Sequence, residues 1–230
     1  MSVEREHMYS MLQQVNELQQ RGDVDLETAL REINASSVAS VPGARYGGIT
    51  MVEEAGINTL AATHDYATVL DDIQRDANEG PCLSAAWDQH TIRIDDLASE
   101  TRWPRYRDAA IERTPVRSVI SFRLFQEGSA LAALNFYAES EGVFDEESVE
   151  VGLIFAAHTT VAWNLMRREH QFRSALASRD VIGQAKGVLM ERFSIDAAAA
   201  FELLRKLSQQ SNTKLVDVAE RLIALDHPPQ

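Results

Sequence analysis

Apolar positions recur at helical spacing toward both ends of the chain and at strand spacing through its middle. From Arg5 to Gln20, Met8, Met11, Leu12, Val15 and Leu18 fall three or four residues apart and Gly22 follows, which predicts an amphipathic helix. Asp23 or Asp25 then caps a second helix carrying Leu26, Ala29, Leu30 and Ile33, expected to break at SSVASVPG. Five strand-like segments come next: YGGITMV, NTLAAT, TIRI, RSVISFRLF and SALAALNFYA. The last two predict a hairpin turning near QEGS, with Val119, Ser121 and Arg123 on one face and Ile120, Phe122 and Leu124 on the other. Strands mixed with helices and hairpins predict an α+β fold, not a parallel doubly wound sheet.

From Glu146 the pattern turns helical again. Ile154, His158, Val161, Leu165, Arg168, Phe172 and Ala175 follow a 4-3-4-3-4-3 spacing, a heptad seam weakened by its polar members. Continued further, the same register would put Arg179 and Lys186 in an apolar layer, so the seam is expected to end near Leu176, where one long helix changes partners.

The next stretch, RDVIGQAKGVLMERF, runs from Arg179 to Phe193 and holds the most specific chemistry in the chain. Arg179, Gly183, Lys186, Gly187 and Met190 share one helical side, whereas Val181, Ala185, Val188 and Leu189 fall largely on another and read as core. Each glycine in a helix interior costs about 1 kcal/mol relative to alanine, so two of them four apart point to something that approaches that backbone closely. Ser194 and Asp196 then start an amphipathic helix, AAAAFELLRKLSQQSN. It turns Phe201, Leu204 and Leu207 toward a core and bears a polar stripe of Arg205, Ser208, Gln209 and Asn212. A third helix, about Lys214 to Leu225, buries Leu215, Val218, Ala219 and Leu222.

Charge separates the two halves. The chain has 230 residues and a net charge of −13. Residues 1–165 hold 12 basic and 27 acidic side chains, a net of −15, whereas residues 166–230 hold 10 basic and 8 acidic, a net of +2. A polyanion is therefore expected on the C-terminal part, through placed contacts to exposed bases, because +2 is too little for bulk attraction. No run approaches the roughly 20 apolar residues of a bilayer span and the N-terminus lacks a signal-peptide pattern, so a cytoplasmic location without membrane contact is expected. The single cysteine, Cys82, reads as a buried structural thiol.

Chemistry of other kinds finds no support in the pattern. His64, His90 and His158 lack metal-ligand spacing, and the pairs Asp71-Asp72 and Asp95-Asp96 read as turns or caps. Trp87, Trp103, Tyr106 and Phe122 read as core before pocket. No phosphate loop, dinucleotide fingerprint, catalytic set or cofactor motif is present, which argues against an enzyme.

Across about Phe172 to Ile223, the elements SRDVIGQAKGVLMER, AFELLRKLSQQSN and KLVDVAERLI, in order and with spacing intact, closely resemble the ANTAR family of RNA-binding antitermination modules. Upstream, EGPC, DDL, RWPRY, RSVISFRL and LAALNFYAESEGVFDEES resemble the GAF domains that precede ANTAR modules in actinobacterial regulators, over about Leu26 to Leu165. Together they imply a GAF-like antiparallel sheet flanked by helices (1–165), a long connecting helix and a three-helix ANTAR module (166–230). They also imply a small-molecule pocket on one face of the sheet, with no ligand identified. The function implied is stabilisation of a hairpin in nascent RNA, which competes with a terminator. Candidate RNA contacts are Arg179, Gln184, Lys186, Gly187, Arg205, Ser208, Gln209 and Asn212, with a homodimer through the helices as the expected assembly. The competing expectation is a dimeric protein-interaction module that binds no nucleic acid. DNA binding ranks below both, since no turn between the last helices marks a helix-turn-helix.

Overall fold

The computed structural model describes residues 25–54, 56–83, 91–127 and 130–226. The helix expected at Arg5–Gln20, together with Trp87 and His90, lies outside the described residues. Two compact units divide the chain, Met1–Met166 and Arg167–Gln230.

In the first unit the elements are α1 (Leu26–Ser40), β1 (Tyr46–Glu53), β2 (Gly56–Ala62), α2 (Asp65–Ala77), β3 (Thr91–Ile94), α3 (Pro104–Arg113), β4 (Ser118–Glu127), β5 (Ala130–Ala138) and the start of α4 (Glu146–Phe193). Asp25 caps α1 by accepting from Thr28 N at 2.9 Å. The helix ends inside SSVASVPG as expected, at Ser40 with Val41 as its C-cap. Ser37 Oγ donates to Asn34 O at 2.7 Å and Ser40 Oγ to Ser36 O at 2.9 Å, so the hydroxyls fold back onto the helix and α1 runs on to Ser40.

The five strands form one antiparallel sheet in the order β2-β1-β5-β4-β3. The β4–β5 hairpin and its face assignment appear as the alternation predicts. Ile120, Phe122 and Leu124 join a core with Leu30 of α1 and with Phe155, Ala156 and Trp163 of α4. Val119 joins a second core on the opposite face, with Leu70 and Ile73 of α2 and Tyr106 and Ala110 of α3. Sheet between two helical layers is the α+β architecture expected. Trp103, Tyr106 and Phe122 are all buried.

Pairing slips once between Arg123 and Phe125, leaving Leu124 outside the ladder, and its carbonyl accepts from Thr160 Oγ1 of α4 at 3.1 Å. A few turns earlier, α4 meets the sheet at Gly152, where a Cβ would stand 2.3 Å from the Phe122 ring. Glycine here allows a helix backbone to lie against a buried aromatic.

By length and composition α4 is apolar enough to cross a membrane, which the expectation of no such run did not foresee. Part of that apolarity is core, since Phe155, Ala156, Ala162 and Trp163 are buried. The rest is an exposed stripe: Val161 is 51% exposed, Leu165 41%, Phe172 66% and Leu176 46%. Two expected members of the seam differ. Ile154 packs against the sheet core and His158 is buried, where desolvation lowers its pKa.

Candidate nucleic-acid interface

The second unit is built from the last turns of α4 with α5 (Ala197–Ser211) and α6 (Leu215–Asp226). Ser194 ends α4 in the left-handed region, at φ 50°, and Asp196 opens α5 by accepting from Ala199 N at 2.8 Å. Ala185 and Leu189 of α4 share a buried core with Ala200 and Leu204 of α5 and Ala219 of α6. With three residues between them and that shared core, α4 and α5 return alongside one another as an antiparallel hairpin. Leu215, Val218 and Leu222 of α6 pack against the same core.

Helical phase then sorts the candidate residues. At 100° per residue, Lys186 and Arg179 stand about 100–120° round α4 from Ala185, on one flank of the core stripe. Arg205, Ser208, Gln209 and Asn212 stand about 40–140° round α5 from Leu204, in the same rotational sense. In an antiparallel pair of right-handed helices, equal rotational senses face the same way, so both sets border one face of the hairpin. Gln184 departs from them, about 160° from Lys186 on the opposite flank of α4.

Along that face Arg179 is exposed and Lys186 half-buried. On the adjoining outer side of α4, about 60° and 100° round from Lys186, Gly183 and Gly187 are exposed, and a Cβ at either would meet nothing within 4 Å. Tight packing against the described residues therefore does not account for these two glycines. Arg205 is exposed and paired with Glu202, Nη2 to Oε2 at 2.7 Å; the pair lowers the pKa of Glu202 and raises that of Arg205. An exposed i,i+3 pair of this kind is screened by solvent and yields readily to a phosphate.

Two further candidates already have structural work. Ser208 Oγ donates to Thr213 O at 2.6 Å, and Asn212 closes α5 in the left-handed conformation at φ 48°, its backbone N–H returning to Gln209 O and Ser208 O. Both shape the turn into α6. Gln209 is exposed. Phe201 and Leu207, expected in the core, are 39% and 38% exposed, and Met190 and Phe193 are 37% and 56% exposed. Phe201 and Leu207 stand at the two edges of the α5 apolar stripe, about 60° either side of buried Leu204.

The sheet unit carries a polar cluster that sequence reasoning missed. Asp71 is buried in α2 and not in a turn; Thr50 and Thr59 donate to it at 2.7–3.0 Å and Gln74 Nε2 at 3.3 Å. Gln74 Oε1 in turn accepts from Cys82 N at 2.8 Å, and Asn135 Nδ2 donates to Thr50 Oγ1 at 2.9 Å. Desolvation raises the Asp71 pKa to about 6 and pushes the Cys82 thiol well above its ordinary value. A thiol so held is a poor nucleophile. The hydroxyls of Tyr106 and Ser121 are buried in the same layer without hydrogen-bond partners. Among the described residues no group of His, Cys, Asp or Glu could hold a metal ion.

Residues 23–164 match the GAF domain family and residues 170–223 match the ANTAR domain. No curated protein matches the chain. Similar solved structures include the GAF domain of a phosphoenolpyruvate-protein phosphotransferase from Acinetobacter, at 10% identity and TM-score 0.55, covering 74% of this chain and 96% of that one. A second is the GAF domain of a phosphoenolpyruvate-protein phosphotransferase from Coxiella burnetii, at 15% identity and TM-score 0.50, covering 71% and 98%. A third is the free methionine-R-sulfoxide reductase from Neisseria meningitidis, at 16% identity and TM-score 0.50, covering 72% and 90%. At such identities the likeness shows the fold alone.

Proposed function

The chain belongs to the GAF domain family and carries an ANTAR domain behind it, and from that premise we propose that it holds a hairpin of nascent RNA on the open face of the α4–α5 hairpin and so disfavours a competing terminator. Its domain content is that of an RNA-binding antitermination regulator with a sensor domain, and both domains are regulatory. The observation that carries the proposed contact is the open glycine face. Gly183 and Gly187 leave α4 backbone uncovered beside Lys186 and Arg179, so a bulky polyanion reaches the cations without steric obstruction.

On this proposal Arg179, Lys186 and Arg205 bind phosphates, and Gln209 reads base edges. Ser208 and Asn212 act chiefly by shaping the turn into α6, and Gln184 contributes from the flank of the hairpin. Unpaired loop bases are the natural target, because the grooves of an RNA duplex hide its sequence. Two copies pair through the stripe of Val161, Leu165, Phe172 and Leu176, which is exposed and keeps heptad-like spacing on α4. The GAF domain binds a small-molecule signal, and the protein works in the cytoplasm.

Titration of wild type and Lys186→Ala against a pool of RNA stem-loops, at several salt concentrations, tests the contact. Loss of one phosphate contact lowers the salt slope by about one unit. Gly187→Leu keeps every charge and is expected to lose binding through bulk alone. Wild-type affinity and slope in folded Lys186→Ala, and again in Arg179→Ala and Arg205→Ala variants, would remove RNA from this face.

A further inference from the structure

Two exposed phenylalanines border the cationic face. Phe193 ends α4 and is 56% exposed; Phe201 lies just over one turn into α5 and is 39% exposed. By helical phase Phe193 stands about 20° from Lys186 round α4, and Phe201 about 40° from Arg205 round α5. Both therefore take the same side of the hairpin as the cations, at the end closed by Ser194–Asp196. Neither ring meets another aromatic ring among the described residues.

The buried core of this unit does not need them, since it is made of Ala185, Leu189, Ala200, Leu204 and Ala219. Exposed aromatic rings beside phosphate-binding cations form the usual platform for unpaired bases, whose faces stack whatever their identity. The unit's net charge of +2 leaves room for such a contribution, because few cations supply little bulk attraction.

We infer that Phe193 and Phe201 are stacking positions for unpaired RNA loop bases, with Arg179 and Lys186 holding the backbone that presents those bases. The inference rests on the RNA-binding function proposed above. It divides the face into two tasks: the cations set the salt dependence and the rings set the preference for a loop over a duplex.

Leucine at either position keeps apolar bulk and helix propensity while removing the ring, so Phe193→Leu and Phe201→Leu are the variants of choice. The full chain is titrated with the same stem-loop pool and with the matching stem as plain duplex. Members of the pool retained by wild type are resynthesised with 2-aminopurine in the loop. Expected is a loss of about tenfold to a hundredfold in stem-loop affinity for each variant. The salt slope and duplex affinity should stay unchanged, 2-aminopurine quenching should disappear, and Phe201→Trp should recover binding. Wild-type affinity in both leucine variants, while Lys186→Ala still loses binding, would overturn the stacking platform and leave the RNA reading intact. Absence of any RNA retention by wild type would overturn both. Altered sedimentation of the leucine variants with unaltered RNA affinity would give this face to a second copy of the chain and overturn the platform as well.

Discussion

Asp71 of α2 accepts both of its shortest buried-core contacts from threonines, and Thr50 of β1 reaches it at 2.9 and 3.0 Å across the face of the sheet. The carboxyl has no cation among these contacts, and burial raises its pKa from 3.8 to about 6. The folded state therefore binds this proton more tightly than the unfolded state. That contribution to stability is complete below about pH 4 and is lost as pH rises through 6. Asp71→Asn should gain on wild type by about 1–2 kcal/mol between pH 5 and pH 7.5. Urea unfolding of both proteins at the two pH values measures it, and parallel curves would show that Asp71 does not titrate in this window.

Gly152→Ala should destabilise the sheet unit even though alanine is the better helix former. The new methyl would fall 2.3 Å from Phe122, which is fully buried and has no room to yield. A loss of about 1–3 kcal/mol is expected in thermal or denaturant unfolding. Gly183→Ala, on the same helix with nothing within 4 Å, should instead gain up to about 1 kcal/mol.

Glu202→Gln should strengthen RNA binding. The change removes an anion from the cationic face and releases Arg205 from its 2.7 Å pair. An affinity gain of about threefold to tenfold at low salt, shrinking as salt rises, is the expected result of a titration series. A gain that persists at high salt would point away from electrostatics.

Leu165→Glu should convert a dimer to a monomer without unfolding the chain. Leu165 is 41% exposed, so a carboxylate there stays solvated in the single chain and is buried only across a seam. Sedimentation velocity with circular dichroism reads both quantities. A monomeric wild type at tens of micromolar would remove the helical pairing.

The sheet was legible because β4 alternates so regularly: Val119 and Ile120 can only point to opposite faces, and two covered faces require two helical layers. Asp196 was legible as a cap because its chemistry is local. Asp71 was not, since its partners Thr50 and Thr59 lie 21 and 12 residues away and nothing near Asp71 distinguishes a buried acid from a surface one. The serines of α1 left the stopping point within SSVASVPG open, because a hydroxyl can either compete with the helix or fold back upon it, and the packed structure places the end at Ser40. Phe201 and Leu207 misled because they stand at the two edges of a wide apolar stripe on α5, and the buried core takes only its centre at Ala200 and Leu204. Gln184 needed no structure: its phase already separated it from Lys186.

The two glycines of the ANTAR domain set a trap for protein engineering. Each lies on solvent-facing helix with open space above it, so a directed-evolution screen that rewards heat resistance alone would replace both with alanine early and welcome the result. On the RNA contact proposed here, every later round would then build on a hardier protein whose output surface had already been filled, and the loss would stay invisible until someone assayed for RNA.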